Sequence, residues 1–452
     1  MAFATLIGCG GGGTERGSAT GGSTSPSTGS MSPSTGSMSP STGSSSPGSG
    51  SGAQASTGST SVGVFTPPPP PCPDSGPCDV WQSVAPPVDY AYQSLVNYGL
   101  QTIDGAKPDA FQTLYVGTCL KGIWKTTNEA ASWTKIDTGT FYNKDGSVYA
   151  APPYKTVGNP LDLGRNWTLA VDPTNSAVVY TTAGYGSLSQ SLWKSTDGGV
   201  DWTEMLGSEG VATSVVVYTV AINPLDHNHL LLTMVSWVGY ATDAGLQESL
   251  DAGKTWTPHP PTGKPGDAPA GWGHGQYAFF LGEKDDGTPD TAGQVWLVTT
   301  QLDGIWRTTD GSKTWTKVAQ FEMTHGQESM YRSKTTHDLY VGAIGDIYRS
   351  TDNGVTWAPT GAKQTSADGY GGIVGDGVRI WAMPGNTGVS TGGPYRWETL
   401  PENDTTSTPS ASNWSLYSDQ MFQDGPMSMV YDPMDHILYA SMWSTGLWRL
   451  KL

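Results

Sequence analysis

An all-β fold is what the sequence predicts: a single β-propeller of seven blades, each of four antiparallel strands, closed by pairing of the N- and C-terminal strands. Three observations carry it. One turn motif recurs, each copy ends an alternating apolar run, and the last unit lacks a strand that earlier residues can supply. The motif reads Ser/Thr-x-Asp-x-Gly-x-Thr-Trp behind an aromatic residue. Its first good copy has Trp193, Ser195, Asp197, Gly199 and Trp202, and its second has Ser249, Asp251, Gly253, Thr255 and Trp256. Trp306, Thr308, Asp310, Thr314 and Trp315 form the third, and Tyr348, Ser350, Asp352, Gly354, Thr356 and Trp357 the fourth. A weaker copy, with Trp124, Thr126, Asn128, Ser132 and Trp133, precedes them. Recurrence at roughly 40–70 residues means one supersecondary unit used many times.

Each copy joins two strands through a tight turn. Gly199, Gly253 and Gly354 fall where a hairpin needs a left-handed backbone, and the Asp two residues earlier can hold N–H groups across the turn. Asp197, Asp251, Asp310 and Asp352 are therefore turn formers, not catalytic acids. Five units end at Trp133, Trp202, Trp256, Trp315 and Trp357. A sixth runs from Arg379 to Leu400, its box eroded to Ser390 through Tyr395. A seventh, from Met429 to Leu452, offers three strands. Asp79 through Val84 has the form of an outer strand and is expected to pair with the last one, which removes open sheet edges. Six or eight blades are the alternatives, because unit six is poorly marked.

These boxes resemble the Asp-box (BNR) repeat of sialidases, sortilin-type receptors, xyloglucan-cleaving glycosidases and photosystem assembly factors. Four copies match closely, within units that span residues 79–452. The resemblance implies a propeller and leaves the activity open.

Composition divides the chain. Residues 10–71 are rich in Gly, Ser, Thr and Pro, too poor in apolar surface to offset ordering entropy, and read as a flexible tether ahead of a propeller over 72–452. Residues 1–9 end in Leu6, Ile7, Gly8 and Cys9, which resembles a bacterial lipobox whose Cys9 is lipidated, although the preceding segment is shorter than an ordinary signal peptide. Cys72 and Cys78 are expected to form a small disulfide in an exported, cell-surface or outer-membrane lipoprotein, or a secreted protein, and Cys119 to be a buried thiol. The membrane is then met only through a lipid anchor. A net charge of −17 argues against nucleic acid as a partner and against anionic substrates that lack a local basic pocket. The chain is expected to act as a monomer.

In propellers the innermost strand lines the channel, and its first residues face one mouth together with the outer-to-inner and B-to-C loops. Two blades start that strand with the same tripeptide, His274, Gly275, Gln276 before Tyr277, and His325, Gly326, Gln327. Others start with Arg165, Asn166 and Trp167, with Tyr218, with Asp368 and Tyr370, and with Asp424. Ionisable residues that converge on an axis from rigid strands are what a site requires, though repeat symmetry alone could pair the His-Gly-Gln segments. Long insertions at 138–166 (Phe141, Tyr142, Tyr149, Tyr154) and 258–273 (Trp272) are expected on the same face, as are the rings of Tyr185, Trp237, Tyr240 and Trp443. Such rings suit sugar faces; interblade packing is the plainer reading. The Asp226–His229 tract reads as a solvated turn at the opposite mouth, and Arg307, Arg349 and Arg449 as structural.

The expected function is a carbohydrate-active propeller that cleaves a polysaccharide at the channel mouth. Hydrolysis needs two carboxylates, which Asp368 and Asp424 could supply. A uronate lyase would use His274 or His325 as base and Tyr277 or Tyr370 as acid, with Arg165 on the carboxylate. Asn166, Trp167, Gln276, Gln327, Trp237, Trp272 and Trp443 would bind the glycan. No cofactor is expected, with a divalent metal at the mouth as the alternative. Too few arginines lie outside strand C for a sialidase, and a xyloglucan enzyme works in a cleft between two propellers where this chain offers one. A non-catalytic glycan- or protein-binding propeller is the other class.

Overall fold

The computed structural model describes residues 80–84, 97–102, 113–118, 121–150, 159–162, 165–184, 191–206, 215–236, 245–259, 277–300, 304–321, 323, 330–364, 369–385, 394–442 and 445–452. The expectations for residues 1–9, the tether at 10–71, and Cys9, Cys72, Cys78 and Cys119 lie outside them. No described helix is long and apolar enough to cross a membrane.

Seven antiparallel blades make up the fold. The first strand, β1 (Gln82–Ser83), belongs to the last blade. Blade 1 is β2 (Asn97–Thr102), β3 (Leu114–Thr118), β4 (Ile123–Thr126) and β5 (Thr134–Lys135). Blade 2 begins outside with β6 (Phe141–Tyr142), then has β7 (Arg165–Asp172), β8 (Asn175–Gly184), β9 (Ser191–Ser195) and β10 (Trp202–Glu204). Blade 3 is β11 (Val215–Asn223), β12 (Asp226–Ser236), β13 (Gly245–Ser249) and β14 (Thr257–His259). Blade 4 is β15 (Tyr277–Phe280), β16 (Trp296–Thr300), β17 (Gly304–Thr308) and β18 (Thr316–Ala319). Blade 5 is β19 (Met330–Arg332), β20 (Leu339–Gly342), β21 (Ile347–Ser350) and β22 (Ala358–Pro359). Blade 6 is β23 (Tyr370–Gly375), β24 (Arg379–Pro384), β25 (Glu398–Pro401) and β26 (Ser415–Leu416). Blade 7 is β27 (Pro426–Asp432), β28 (Ile437–Met442) and β29 (Leu447–Lys451), with β1 as its outer strand, Gln82 facing Arg449.

The boxes sit between the third and outer strands and share one geometry. Ser195 Oγ donates to Asp197 Oδ1 (2.8 Å) and accepts from the Gly199 amide (2.9 Å). Asp197 Oδ1 then accepts from Val200 and Asp201 N, at 3.0 and 3.1 Å. Asp251, Asp310 and Asp352 hold Thr255, Thr314 and Thr356 through both amide and hydroxyl. At Asp251 burial pushes the carboxyl up, but the Thr255 hydroxyl and amide donors outweigh it and bring the pKa to about 2. The weak copy works because Asn128 replaces the carboxylate, accepting from Ser132 N at 3.0 Å. Two consecutive left-handed residues close each turn, Gly198 and Gly199 (φ 79 and 96) in blade 2 and Asn353 and Gly354 (φ 56 and 84) in blade 5. The box tryptophan folds back over this turn, its indole N–H donating to the glycine carbonyl in Trp202 (2.8 Å) and Trp256 (2.9 Å).

Alternate strand residues point to opposite blade faces, and both faces are buried. Leu114 and Val116 pack with Ile437 and Tyr439 of blade 7, whereas Tyr115 packs with Leu169 and Trp193 of blade 2. Seven apolar clusters among the described residues fill the seven seams in turn, the blade 7–1 seam included. Toward the rim, cations following the strand-C aromatic tie neighbouring blades. Lys194 Nζ donates to the Ala252 carbonyl (3.2 Å), Arg307 Nε to that of Asn353 (3.0 Å), and Arg449 to that of Glu129. Arg349 instead reaches the carbonyls of Asp404 and Thr405.

Three expectations need correction. The sixth box slot is not Ser390–Tyr395, which precedes β25, but residues 402–414, where Asp404 accepts from Ser407 N and Asn413 Nδ2. The 138–166 insertion does not bring Phe141 and Tyr149 to the mouth. Both pack edge-on against Trp193 (ring centroids 5.5 Å), as β6 pairs parallel with β10 at the blade's outer edge. The Asp226–His229 tract is the start of β12, with His229 buried.

Two consequences are measurable. At Gly199 a Cβ would stand 2.1 Å from Ile136 Cδ1 on a left-handed backbone, so Gly199→Ala should lower unfolding free energy by about 1–3 kcal/mol in denaturant titrations. Asp432, fully buried on the inner hairpin of blade 7, is pushed up to about 6 by burial, against two amide donors from Met434 and Asp435. Its unfolded counterpart ionises near pH 4. The native state therefore binds more protons across pH 4–6, and the stability that Asp432 contributes declines as pH rises through that window, by on the order of 3 kcal/mol. Asp432→Asn should flatten this slope in denaturation midpoints taken across it.

Candidate functional site at the channel mouth

Inner strands β7, β11, β15, β19, β23 and β27 start at the same end of their blades, so their first residues meet one mouth. Asn166, one residue into β7, is fully buried; its Nδ2 donates to the carbonyls of Thr118 (2.9 Å) and Leu161 (3.0 Å). It thus pins blade 2 to blade 1 and presents no free donor to a glycan. Arg165 and Trp167 flank it on β7, with their side chains outside the described residues. Tyr277 opens β15, buried, its ring 5.4 Å from that of Tyr218 on the neighbouring inner strand. Asp424, two residues before β27, is buried and accepts from Thr445 Oγ1 at 2.6 Å.

Tyr370 opens β23 and has no exposed surface. Its hydroxyl stands 2.7 Å from Glu398 Oε1 and 3.0 Å from the Gln364 carbonyl. Burial, then the Glu398 carboxylate, pushes the phenol well above its ordinary value. The proton stays on oxygen, turned toward Glu398, so an acid role for Tyr370 requires that pair to open. Glu398 also accepts from the amides of Lys363 and Gln364 and from Gln364 Nε2, which fastens the segment leading to β23. Sequence reasoning missed Glu398; its signal was a carboxylate next to Trp397 in the position where an inward-facing apolar residue is the norm.

His274, Gln276, His325, Gln327, Asp368, Trp237, Trp272 and Trp443 lie outside the described residues, as do Tyr154, Tyr185 and Tyr240. What is described connects two of the candidates through backbone. Gly425 N donates to Gly385 O (2.8 Å), and Gly385 N donates to Gly369 O (3.1 Å). The residues immediately after Asp424 and Asp368 are therefore linked through one intervening glycine. Among the described residues no group of three His, Cys, Asp or Glu is placed to hold a metal ion.

No protein-family model matches the chain. Over 242 residues it is 29% identical to a xyloglucanase of Hypocrea jecorina (strain QM6a), covering 46% of this chain and 27% of that protein. Over 321 residues it is 23% identical to a xyloglucanase of Paenibacillus sp, covering 65% of this chain and 29% of that one. The chain thus matches only about a quarter of the length of these curated relatives. Among solved structures it is similar to the GH74 xyloglucanase from Xanthomonas campestris, with TM-score 0.51 and 17% identity over 82% of this chain and 53% of that one. It is likewise similar to the Niastella koreensis GH74 enzyme, with TM-score 0.52 and 15% identity over 81% of this chain and 53% of that one. These likenesses show a shared β-propeller fold.

Tyr370→Phe removes one donor from a buried carboxylate and should cost about 1–3 kcal/mol in thermal or chemical denaturation.

Proposed function

We propose that this chain is an exported Asp-box propeller that hydrolyses a neutral β-glucan of the xyloglucan type, at its channel mouth instead of the cleft between two propellers that xyloglucan-cleaving glycosidases use. The observation that carries the reading is the 29% identity over 242 residues to a xyloglucanase, beside a propeller fold shared with a different, GH74 xyloglucanase. Asp368 and Asp424 are the carboxylate pair in this reading. Two hydrogen-bonded backbone steps link the glycines that follow them, at the starts of the contacting inner strands β23 and β27. Trp237, Trp272 and Trp443 would stack on sugar rings, with Gln276 and Gln327 on hydroxyls. Export rests on Cys9 and the 10–71 tether, with Cys72 and Cys78 as a disulfide.

Charge favours this over a uronate lyase. At −17 the chain repels a polyanion, whereas a neutral glucan meets no such field. His274, His325, Tyr277 and Arg165 remain the residues a lyase would need.

The test is incubation with xyloglucan, other β-glucans and uronate polymers. New reducing ends from xyloglucan are expected, with Asp368→Asn and Asp424→Asn each lowering kcat by roughly 10²–10⁴ at little change in KM. Ultraviolet absorbance from an unsaturated uronate, lost in His274→Ala and His325→Ala, would point to the lyase instead. Retention on glycan gels without any cleavage would leave a binding propeller.

A further inference from the structure

The seam between blades 3 and 4 departs from the repeat at positions that touch one another. Strand C of blades 1, 2, 4, 5 and 7 carries an aromatic and then a cation; β13 has Gln247 and Glu248. Where three boxes have glycine and the weak one Ala130, the fourth has Ser312 on a left-handed backbone, φ 67. Glu248 Oε1 lies 2.8 Å from His229 Nε2, and its Oε2 lies 2.9 Å from His259 Nε2. His229 Nδ1 is 3.3 Å from Asn223 Nδ2, and His259 Nδ1 is 2.5 Å from Ser312 Oγ.

Donor and acceptor chemistry assigns the protons that face Glu248. Asn223 Oδ1 accepts from Leu225 N at 2.9 Å, which orients the amide, so Nδ2 donates and His229 Nδ1 accepts. A carboxylate only accepts, so both Nε2 atoms carry hydrogen toward Glu248. Burial pushes Glu248 up, but the His229 and His259 donors outweigh it and hold the group at about 2, ionised. In the neutral ring His259 Nδ1 is a lone pair, to which the Ser312 hydroxyl donates. The turn does not need that hydroxyl: Ser312 N already donates to Thr308 Oγ1 at 3.0 Å. Ser312 takes the second left-handed position, which is glycine in three other boxes, while Gly311 takes the first.

A serine hydroxyl donating to an imidazole held by a carboxylate is the arrangement of an activated nucleophile. We propose that Ser312 is a covalent catalytic site for esters of short apolar acyl groups, with His259 as general base and Glu248 as positioning residue. Crowding restricts the acyl group to a small one: fully buried Trp296 lies 5.9 Å from His259, and half-buried Trp315 lies 6.5 Å from Trp296. Ser312 Oγ attacks the acyl carbon while its proton passes to His259 Nδ1. The ester C–O bond breaks and the proton leaves on the alcohol. Water, deprotonated by the same imidazole, then releases the carboxylic acid and restores Ser312. Because box turns lie at the blade end opposite the mouth, this chemistry is independent of glycan binding there.

The full chain is tested with p-nitrophenyl acetate and a fluorophosphonate probe, beside Ser312→Gly and His259→Gln. Glycine is what three boxes carry at this backbone angle, so Ser312→Gly keeps the turn. Expected are a single phosphonyl adduct mapped to Ser312 by peptide mass, its loss in Ser312→Gly, and labelling slowed roughly a hundredfold in His259→Gln. Glycan release stays unchanged in Ser312→Gly. An adduct or ester turnover that persists in Ser312→Gly overturns the proposal, as does a wild-type chain, shown folded by circular dichroism, that takes no label.

Discussion

The constraint on which the ring depends is a backbone carbonyl, that of the first of two left-handed residues, in three of the boxes. The box needs the left-handed pair to bring Ser or Thr, Asp and Trp onto the same turn, and that geometry turns the carbonyl outward. The preceding blade's Lys or Arg then finds it, as Lys194 finds Ala252 and Arg307 finds Asn353. A local turn rule thereby becomes a tertiary one. At the seams between blades 2 and 3, 4 and 5, and 7 and 1, a charge-assisted bond registers one blade against the next at the rim, while apolar side chains fill the seam inside. The inner strands inherit their spacing from this, and so does the mouth onto which they open.

Where the rule is broken, the replacement is concerted. Glu248 in place of a cation would face a carbonyl across the seam, so the bond is rerouted through two imidazoles that also pack edge-on against Phe280 and Trp296. Blade 6 breaks it differently. Its third-to-outer connection is a longer loop built around Asp404, and Arg349 reaches the carbonyls of Asp404 and Thr405 there. Both solutions keep a hydrogen bond at the rim and change only the chemistry of its donor.

The fold was legible because its units are local. The Asp, Gly and Trp of each box act within a single turn, and a Gly two residues after an Asp means the same thing in any blade. Blade 6 was misread for the same reason: its turn relies on Asn413 and Asp404, nine residues apart, and leaves no compact signature. The Phe141–Tyr149 insertion was placed on the wrong side because an aromatic pair reads alike whether it meets solvent or Trp193. The site was less legible still. Glu398 and Asn166 act on carbonyls, amides and hydroxyls brought near only by the ring, and no spacing in the sequence records that neighbourhood. The His229 and His259 pairing across β13 follows the two-residue period of strands, but only once the register of three strands is known.

The short parallel strand β6 has a consequence for how the ring meets its surroundings. Most outer strands here are two to four residues long, too brief to recruit a foreign strand. Blade 2 alone among the described residues is sealed by an extra ribbon, with Tyr149 folded beneath it as a brace. Addition of a foreign strand is thus discouraged at each described outer edge.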